Sequence, residues 1–327
     1  MGKATKNKSV MPQTVTHKKT SFGSYFKSHY WLYILIIPGV AYMLCFNYLP
    51  MLGLVMAFQD FNPFNGKGVF DAFIKSPWVG LDVFEDFVLG YDFTRVLYNT
   101  LAISILSLIF FFPAPIILSL LLNEIRSQGY KRVTQTLVYI PHFISLVIVA
   151  SLTQQLFSTT DGVVYQMIAS VVGRNNAPDL LSDPDLFKVL IVGQNIWKET
   201  GYGTIIFLAA LSGVDQEQYE AARVDGAGRW RLMWHITLPA IRGTIVIMLI
   251  LKVGQILNTG FEQIYLMQNA LNRTASETFD TYIYRIGIEK ADYSLGAAAG
   301  MFKSIVSLVL VLAANKIAKM CGESGFY

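Results

Sequence analysis

Six long apolar runs decide what this chain of 327 residues can fold into. They lie at 31–58, 96–122, 137–157, 187–211, 239–267 and 295–317. A helix of roughly 20 apolar residues crosses the hydrocarbon core of a bilayer. The runs therefore predict an all-α polytopic membrane protein with six transmembrane helices. Composition agrees, because only 15% of the residues are charged, against about a quarter in a soluble domain. Runs 137–157 and 295–317 meet the length requirement cleanly. The run at 187–211 carries Lys198 and Glu199, and the run at 239–267 carries Lys252. Charges at membrane depth face a bundle interior or a cavity, so these two runs are expected inside the bundle.

Basic residues give the orientation. Lys3, Lys6, Lys8, Lys18, Lys19 and Lys27 precede the first run, and Arg126, Lys131 and Arg132 follow the second. Arg223, Arg229, Arg231 and Arg242 lie after the fourth, and Lys316 and Lys319 close the sixth. The alternate loops are poorer in Lys and Arg. The positive-inside rule then places both termini and the loop of the 220s in the cytoplasm. The expected organisation is a basic cytoplasmic tail at 1–29 and a first helix with an extracellular loop at 30–95. A core follows at 96–318, with a cytoplasmic loop at 214–239, and a short cytoplasmic tail at 319–327. The basic excess is a topology signal, and no nucleic-acid partner is expected.

Several chemistries lack their motifs. There is no G-x-x-x-x-G-K-[ST] phosphate loop and no H-E-x-x-H pair. No G-x-S-x-G elbow occurs either. No catalytic residue, resident cofactor or metal is expected in this chain.

The loop reads Glu220-Ala-Ala-Arg-Val-Asp-Gly226-Ala227 and runs on to Leu238-Pro239. Asp215 suits the N-cap of a short helix, with Gln218 three residues on as in a capping box. Tyr219, Ala222 and Arg223 then share a face. Gly226 can adopt positive φ and end the helix. Pro239 fits the first turn of the next helix.

This pattern resembles the cytoplasmic "EAA" loop of bacterial ABC-importer permeases. The likeness extends from about Tyr30 to the C-terminus. It includes Asn99-Thr100-Leu101, the segment from Tyr139 to Ser145, the segment from Thr259 to Leu266, and Asp292-Tyr-Ser-Leu295. Together these resemble the carbohydrate branch, in particular the lipoprotein- or polysaccharide-type (LplB-like) oligosaccharide permeases. The resemblance implies a type I importer fold in the bacterial plasma membrane. It implies a second homologous permease, two ATPase subunits that bind ATP and Mg, and an extracellular solute-binding protein that delivers an oligosaccharide. It assigns coupling to the ATPase to Glu220, Ala221, Ala222, Asp225, Gly226 and Ala227.

Polar residues within the fourth and fifth runs are the candidate substrate path: Gln194, Asn195, Trp197, Lys198, Gln255, Asn258, Phe261 and Glu262. Gln255, Asn258 and Glu262 follow helical spacing and would form one stripe. By resemblance, Asn258 is the best match to a sugar-lining position. Amides pair with sugar hydroxyls, and Trp197, Tyr202 and Phe261 offer stacking faces. The bland reading of the stripe is hydrogen bonding between helices. Lys198 and Glu199 are adjacent and point about 100° apart, so each is expected to need its own partner. Unpaired ammonium groups at Lys198 and Lys252 would favour an acidic, uronate-containing oligosaccharide; the opposing reading pairs both with carboxylates. A self-contained secondary transporter or channel is the competing class. It would explain the helices and the buried charges, but not the EAA-like loop.

Overall fold

A computed structural model describes residues 29–322. The tail at 1–28 and residues 323–327 lie outside the described residues, so the basic cytoplasmic tail and most of the C-terminal tail are not described. Among the described residues the structure is helical. Its one extended pairing is an isolated bridge between Gln59 and Trp78.

The chain divides into two compact units after Gly53. The first unit contains α1 (Tyr30–Met43), in which no residue is buried. A helix apolar all round, with nothing from its own unit covering it, is suited to lipid or to another protein.

The second unit contains α2 (Tyr91–Leu106), α3 (Pro113–Asn123), α4 (Gln128–Tyr139), α5 (Leu146–Phe157) and α6 (Pro184–Ser212). These are followed by α7 (Gln216–Val224), α8 (Arg242–Gly254), α9 (Phe261–Met267), α10 (Phe279–Tyr284) and α11 (Tyr293–Met320). Helix α6 packs along α3, and α8 packs along α11. Three apolar clusters hold the unit together. One joins Phe87, Val96, Phe279 and Ala299. A second joins Ile103, Phe187, Ile191 and Ile264. The third joins Ile116, Phe207, Leu211 and Ile241.

Three helical stretches are long and apolar enough to cross a membrane: Tyr30–Phe58, Tyr91–Asn123 and Tyr293–Met320. Two bent pairs raise the number to five. Helix α6 has the length, at 29 residues, but carries Lys188, Lys198 and Glu199.

Two runs differ from the straight helices expected. The run at 137–157 bends by 94° between Gln128–Phe143 and Leu146–Phe157. Pro141 lies in a 3-10 turn, Ile144 is extended, and the Ser145 hydroxyl accepts from Ile148 N–H to start α5. Serine at that position caps a new helix, so the chain restarts instead of continuing. The run at 239–267 is broken twice. It bends by 59° between Arg229–Ala240 and Arg242–Gly254. It then unwinds between Gln255 and Gly260 before α9. The expected stripe of Gln255, Asn258 and Glu262 on one helix is therefore overturned.

Unwound backbone at membrane depth must find partners within the protein. Here the Ser104 hydroxyl donates to Ile256 O. Thr259 N–H donates to Asp280 at 3.3 Å, and the Lys303 ammonium bridges Asn258 and Asp280. The break is thus held by α2, α10 and α11.

A closed ring of charges ties α2 to the chain after α9. Arg95 meets Asp92 at 2.7 Å and Glu277 at 2.6 Å. Arg285 meets Asp92 at 3.1 Å and also grips Glu277. Two cations balance two carboxylates, so buried Glu277 is compensated on both sides. Burial pulls the Arg285 pKa down, but Glu277 and Asp92 outweigh it and hold the guanidinium above its ordinary value.

Candidate functional site: a capped surface loop and a polar cleft

Helix α7 begins where expected. The Asp215 carboxylate accepts from Glu217 N–H at 2.9 Å; this is a simple N-cap, without the reciprocal Gln218 bond. The helix ends in a Schellman motif. Gly226 has φ of +79°. Its N–H donates to Arg223 O at 3.0 Å, and Ala227 N–H donates to Ala222 O at 2.9 Å. A β-carbon at Gly226 would meet nothing, so the demand for glycine comes from φ alone. That costs an L-residue about 1–2 kcal/mol.

No residue of α7 is buried. Tyr219 and Ala222 are half-buried on one face, and Arg223 is exposed beside them, not part of that face. Tyr219 anchors the helix by donating to Thr237 at 3.0 Å. Glu220, Ala221, Asp225 and Gly226 all face outward, with Ala222 and Ala227 half-buried at the cap. Val224 is 89% exposed, and Trp230 is 75% exposed. The six residues expected to couple are thus brought together on one protruding, rigidly capped element. Val224, an exposed apolar residue in a polar helix, lies on the same element and was not singled out from the sequence.

The eight expected path residues are divided among several environments. Asn195, Gln255 and Asn258 meet in a polar cleft of about 40 Å³, together with Lys252, Ser104 and Ser107. Gln194 turns away and is buried. It donates to Thr153 at 2.6 Å and accepts from Gln263 at 2.8 Å, while Gln263 also donates to Ile191 O. This amide relay stitches α5, α6 and α9 together, and Gln194 is glue between helices. Trp197 is half-exposed beside an apolar cavity of about 580 Å³ between α5 and α6. Phe261 lines a separate recess with Tyr284 and Tyr293. Glu262 is exposed and lines none of these.

Lys198 and Glu199 overturn the expectation of separate partners. The Lys198 ammonium donates to Glu199 and to His142 O, each at 2.8 Å. His142 Nδ1 meets the other Glu199 oxygen at 2.6 Å, and its ring stacks on Tyr202 at 3.8 Å. Flexible side chains turn back along the helix and close the 100° gap. Lys198 is therefore paired, and one face of the Tyr202 ring is already taken. The cluster fastens the bend at 140–145 to α6. Close by, the backbones nearly touch: a β-carbon at Gly201 would lie 1.8 Å from Val138 O.

Lys252 differs. It has no ion pair to a carboxylate among the described residues, and its ammonium lies 5.1 Å from the centre of the Phe111 ring. A ring face returns about 0.5–2 kcal/mol, whereas a desolvated ion costs several. With no carboxylate beside it among the described residues, Lys252 in its charged form gives the cleft a positive potential.

Apolar spans with a polar cleft among them and a capped, exposed helix between two of them define a polytopic membrane protein. Residues 111–320 match the family of binding-protein-dependent transport system inner membrane components, and the chain belongs to that family. It is 52% identical to Protein LplB of Bacillus subtilis (strain 168), covering 97% of each chain. It is 47% identical to the polygalacturonan/rhamnogalacturonan transport system permease protein YteP of the same organism, over 91% of this chain and 90% of that one. Among solved structures it resembles a chain of a bacterial alginate ABC transporter in complex with alginate pentasaccharide-bound periplasmic protein. That match has a TM-score of 0.83 and 38% identity, and covers 93% of this chain and 99% of that one. The fold is accordingly that of a type I ABC importer permease.

Proposed function

We propose that this chain is the membrane-spanning permease of an ATP-driven importer for oligosaccharides cut from complex acidic polysaccharides. Six spanning helices, with both termini and α7 in the cytoplasm, complete the proposed topology. A second homologous permease would complete the path. Two ATPase subunits would bind ATP and Mg, and an extracellular solute-binding protein would deliver the sugar. Closure of the ATPases would push on Glu220, Ala221, Ala222, Asp225, Gly226 and Ala227, and alternating access would follow.

The observation that carries this reading is the exposed, Schellman-capped α7 within the residues matched by the family. A rigidly capped, exposed element tied through Tyr219 to Thr237 can pass a partner's push to the chain that leads into α8. Support for the substrate comes from relatives named for polygalacturonan/rhamnogalacturonan transport and for import of the acidic polysaccharide alginate.

Purification of the chain from gently solubilised native membranes tests the assembly. The expected result is recovery of a second permease and an ATPase whose activity rises with the loaded solute-binding protein. Gly226→Trp should abolish that stimulation, by at least tenfold, without unfolding the chain, because the substitution strains only φ. Recovery of the chain alone, still able to transport without an ATPase, would replace this reading with a self-contained carrier.

A further inference from the structure

We infer that Lys252 is the specificity-determining residue that reads a substrate carboxylate during transport; this rests on the importer reading above. Lys303 is satisfied by Asp280 and Asn258, and Lys198 by Glu199 and the His142 carbonyl. Both Asp280 oxygens are engaged, one by Lys303 and the other by Thr259 N–H. Among the described residues that line the cleft, Lys252 is the one cation, and nearby Asp280 is already engaged by Lys303 and Thr259.

Size comes next. The cleft has about 40 Å³ of space, while one water needs roughly 10–15 Å³. It has room for a group of about three heavy atoms. A carboxylate fits that space and a pyranose ring does not. The ring of the sugar would stay outside while its C6 substituent enters.

The lining completes the recognition. Asn195 from α6 and Gln255 and Asn258 from the unwound segment carry amide groups to the same cleft. Asn258 gives its carbonyl oxygen to Lys303, which leaves its NH₂ as a donor. An ammonium flanked by amide donors binds a carboxylate through charge-assisted hydrogen bonds, which a neutral hydroxymethyl group matches poorly. The break in the fifth run has a purpose on this account: Gln255 already neighbours Lys252 at helical spacing, and the unwound turn adds Asn258, six residues on, to the same cleft.

The test uses the assembled importer in proteoliposomes, with its ATPase and solute-binding protein. The probes are trigalacturonate and its carboxyl-reduced, neutral counterpart. In Lys252→Gln, the acidic-to-neutral ratio of kcat/KM should fall about tenfold from wild type, and Lys252→Arg should keep most of it. Comparing ratios between variants cancels any preference of the binding protein. Asn195→Asp places a competing anion in the cleft and should lower the ratio similarly, which keeps the test open if Lys252→Gln does not assemble. An unchanged ratio in these variants would overturn the inference. Equal loss of both sugars would also overturn it and make Lys252 a structural cation paired with another subunit. Wild type that takes only the neutral sugar would overturn this inference and leave the importer standing. Wild type that takes neither sugar, with ATP present, would remove both.

Discussion

The surface helix α7 and the broken segment at 255–260 are both polar interruptions in an apolar chain, yet they are built in opposite ways. Helix α7 is stabilised almost wholly by its own neighbours in sequence. Asp215 caps one end, Gly226 and Ala227 close the other, and Tyr219 supplies a single tether to Thr237. The broken segment is stabilised by residues far along the chain: Ser104, Asp280 and Lys303. A surface that waits for a partner can be written locally. A buried polar site has to be written across the whole bundle, because each unwound backbone group needs a partner from elsewhere.

Substitutions can break this contrast or sharpen it. The largest effect is expected on the buried side, at the bend pinned to α6. Gly201→Val would drive a side chain into the Val138 carbonyl, which a 1.8 Å approach cannot accommodate. Overpacking of this kind costs about 3 kcal/mol. Thermal unfolding in detergent should show a large drop in midpoint, whereas a small one would mean that α4 and α6 are free to separate. Next is Gln263→Leu, which severs the amide relay to Gln194 and Ile191. A loss of about 1–2 kcal/mol is expected for such a bond between membrane helices. The same assay reads it, and no change would make the relay decorative. The smallest effect on stability is Asp215→Ala. Removing the cap costs about 1 kcal/mol and should fray α7 alone. Hydrogen exchange should rise across 216–224 and nowhere else. Exchange that spread into α6 or α8 would show that the loop is not the self-contained element described here.

The same contrast explains what could be read beforehand. The Asp215 cap and the glycine at 226 carry their meaning in a few adjacent letters, so the capped surface helix was legible; Pro239 was misplaced, because it lies at the end of the stretch Arg229–Ala240 and the next helix starts only at Arg242. The second and sixth spans were legible because their hydrophobicity outweighs Pro113 and Pro115 in the one and Lys303 in the other. Spacing alone failed at Gln255, Asn258 and Glu262. It assumes a continuous helix, and nothing in those letters announces that Asp280 and Lys303 will take over the backbone and side-chain bonds of an unwound turn. Lys198 and Glu199 misled for a related reason: 100° separates their α-carbons' directions, but long side chains and a histidine from another element close the gap. Ser145 was a readable signal left unread, since serine four residues after a proline is a plain helix start.

The sharp bend in the third run also bears on how the chain enters the bilayer during synthesis. Helix α5 has 12 residues, which reach about 18 Å at 1.5 Å per residue. The hydrocarbon core is about 30 Å thick. A ribosome that has just released this segment presents the insertion machinery with half a span, and a stop there leaves polar backbone facing lipid. Helix α6, made some 30 residues later, carries the Gln194, Lys198, Glu199 and Gly201 positions that complete the bend. Helix α5 thus depends on a later segment: Gln194 of α6 holds Thr153, and Lys198 of α6 holds the His142 carbonyl before the bend.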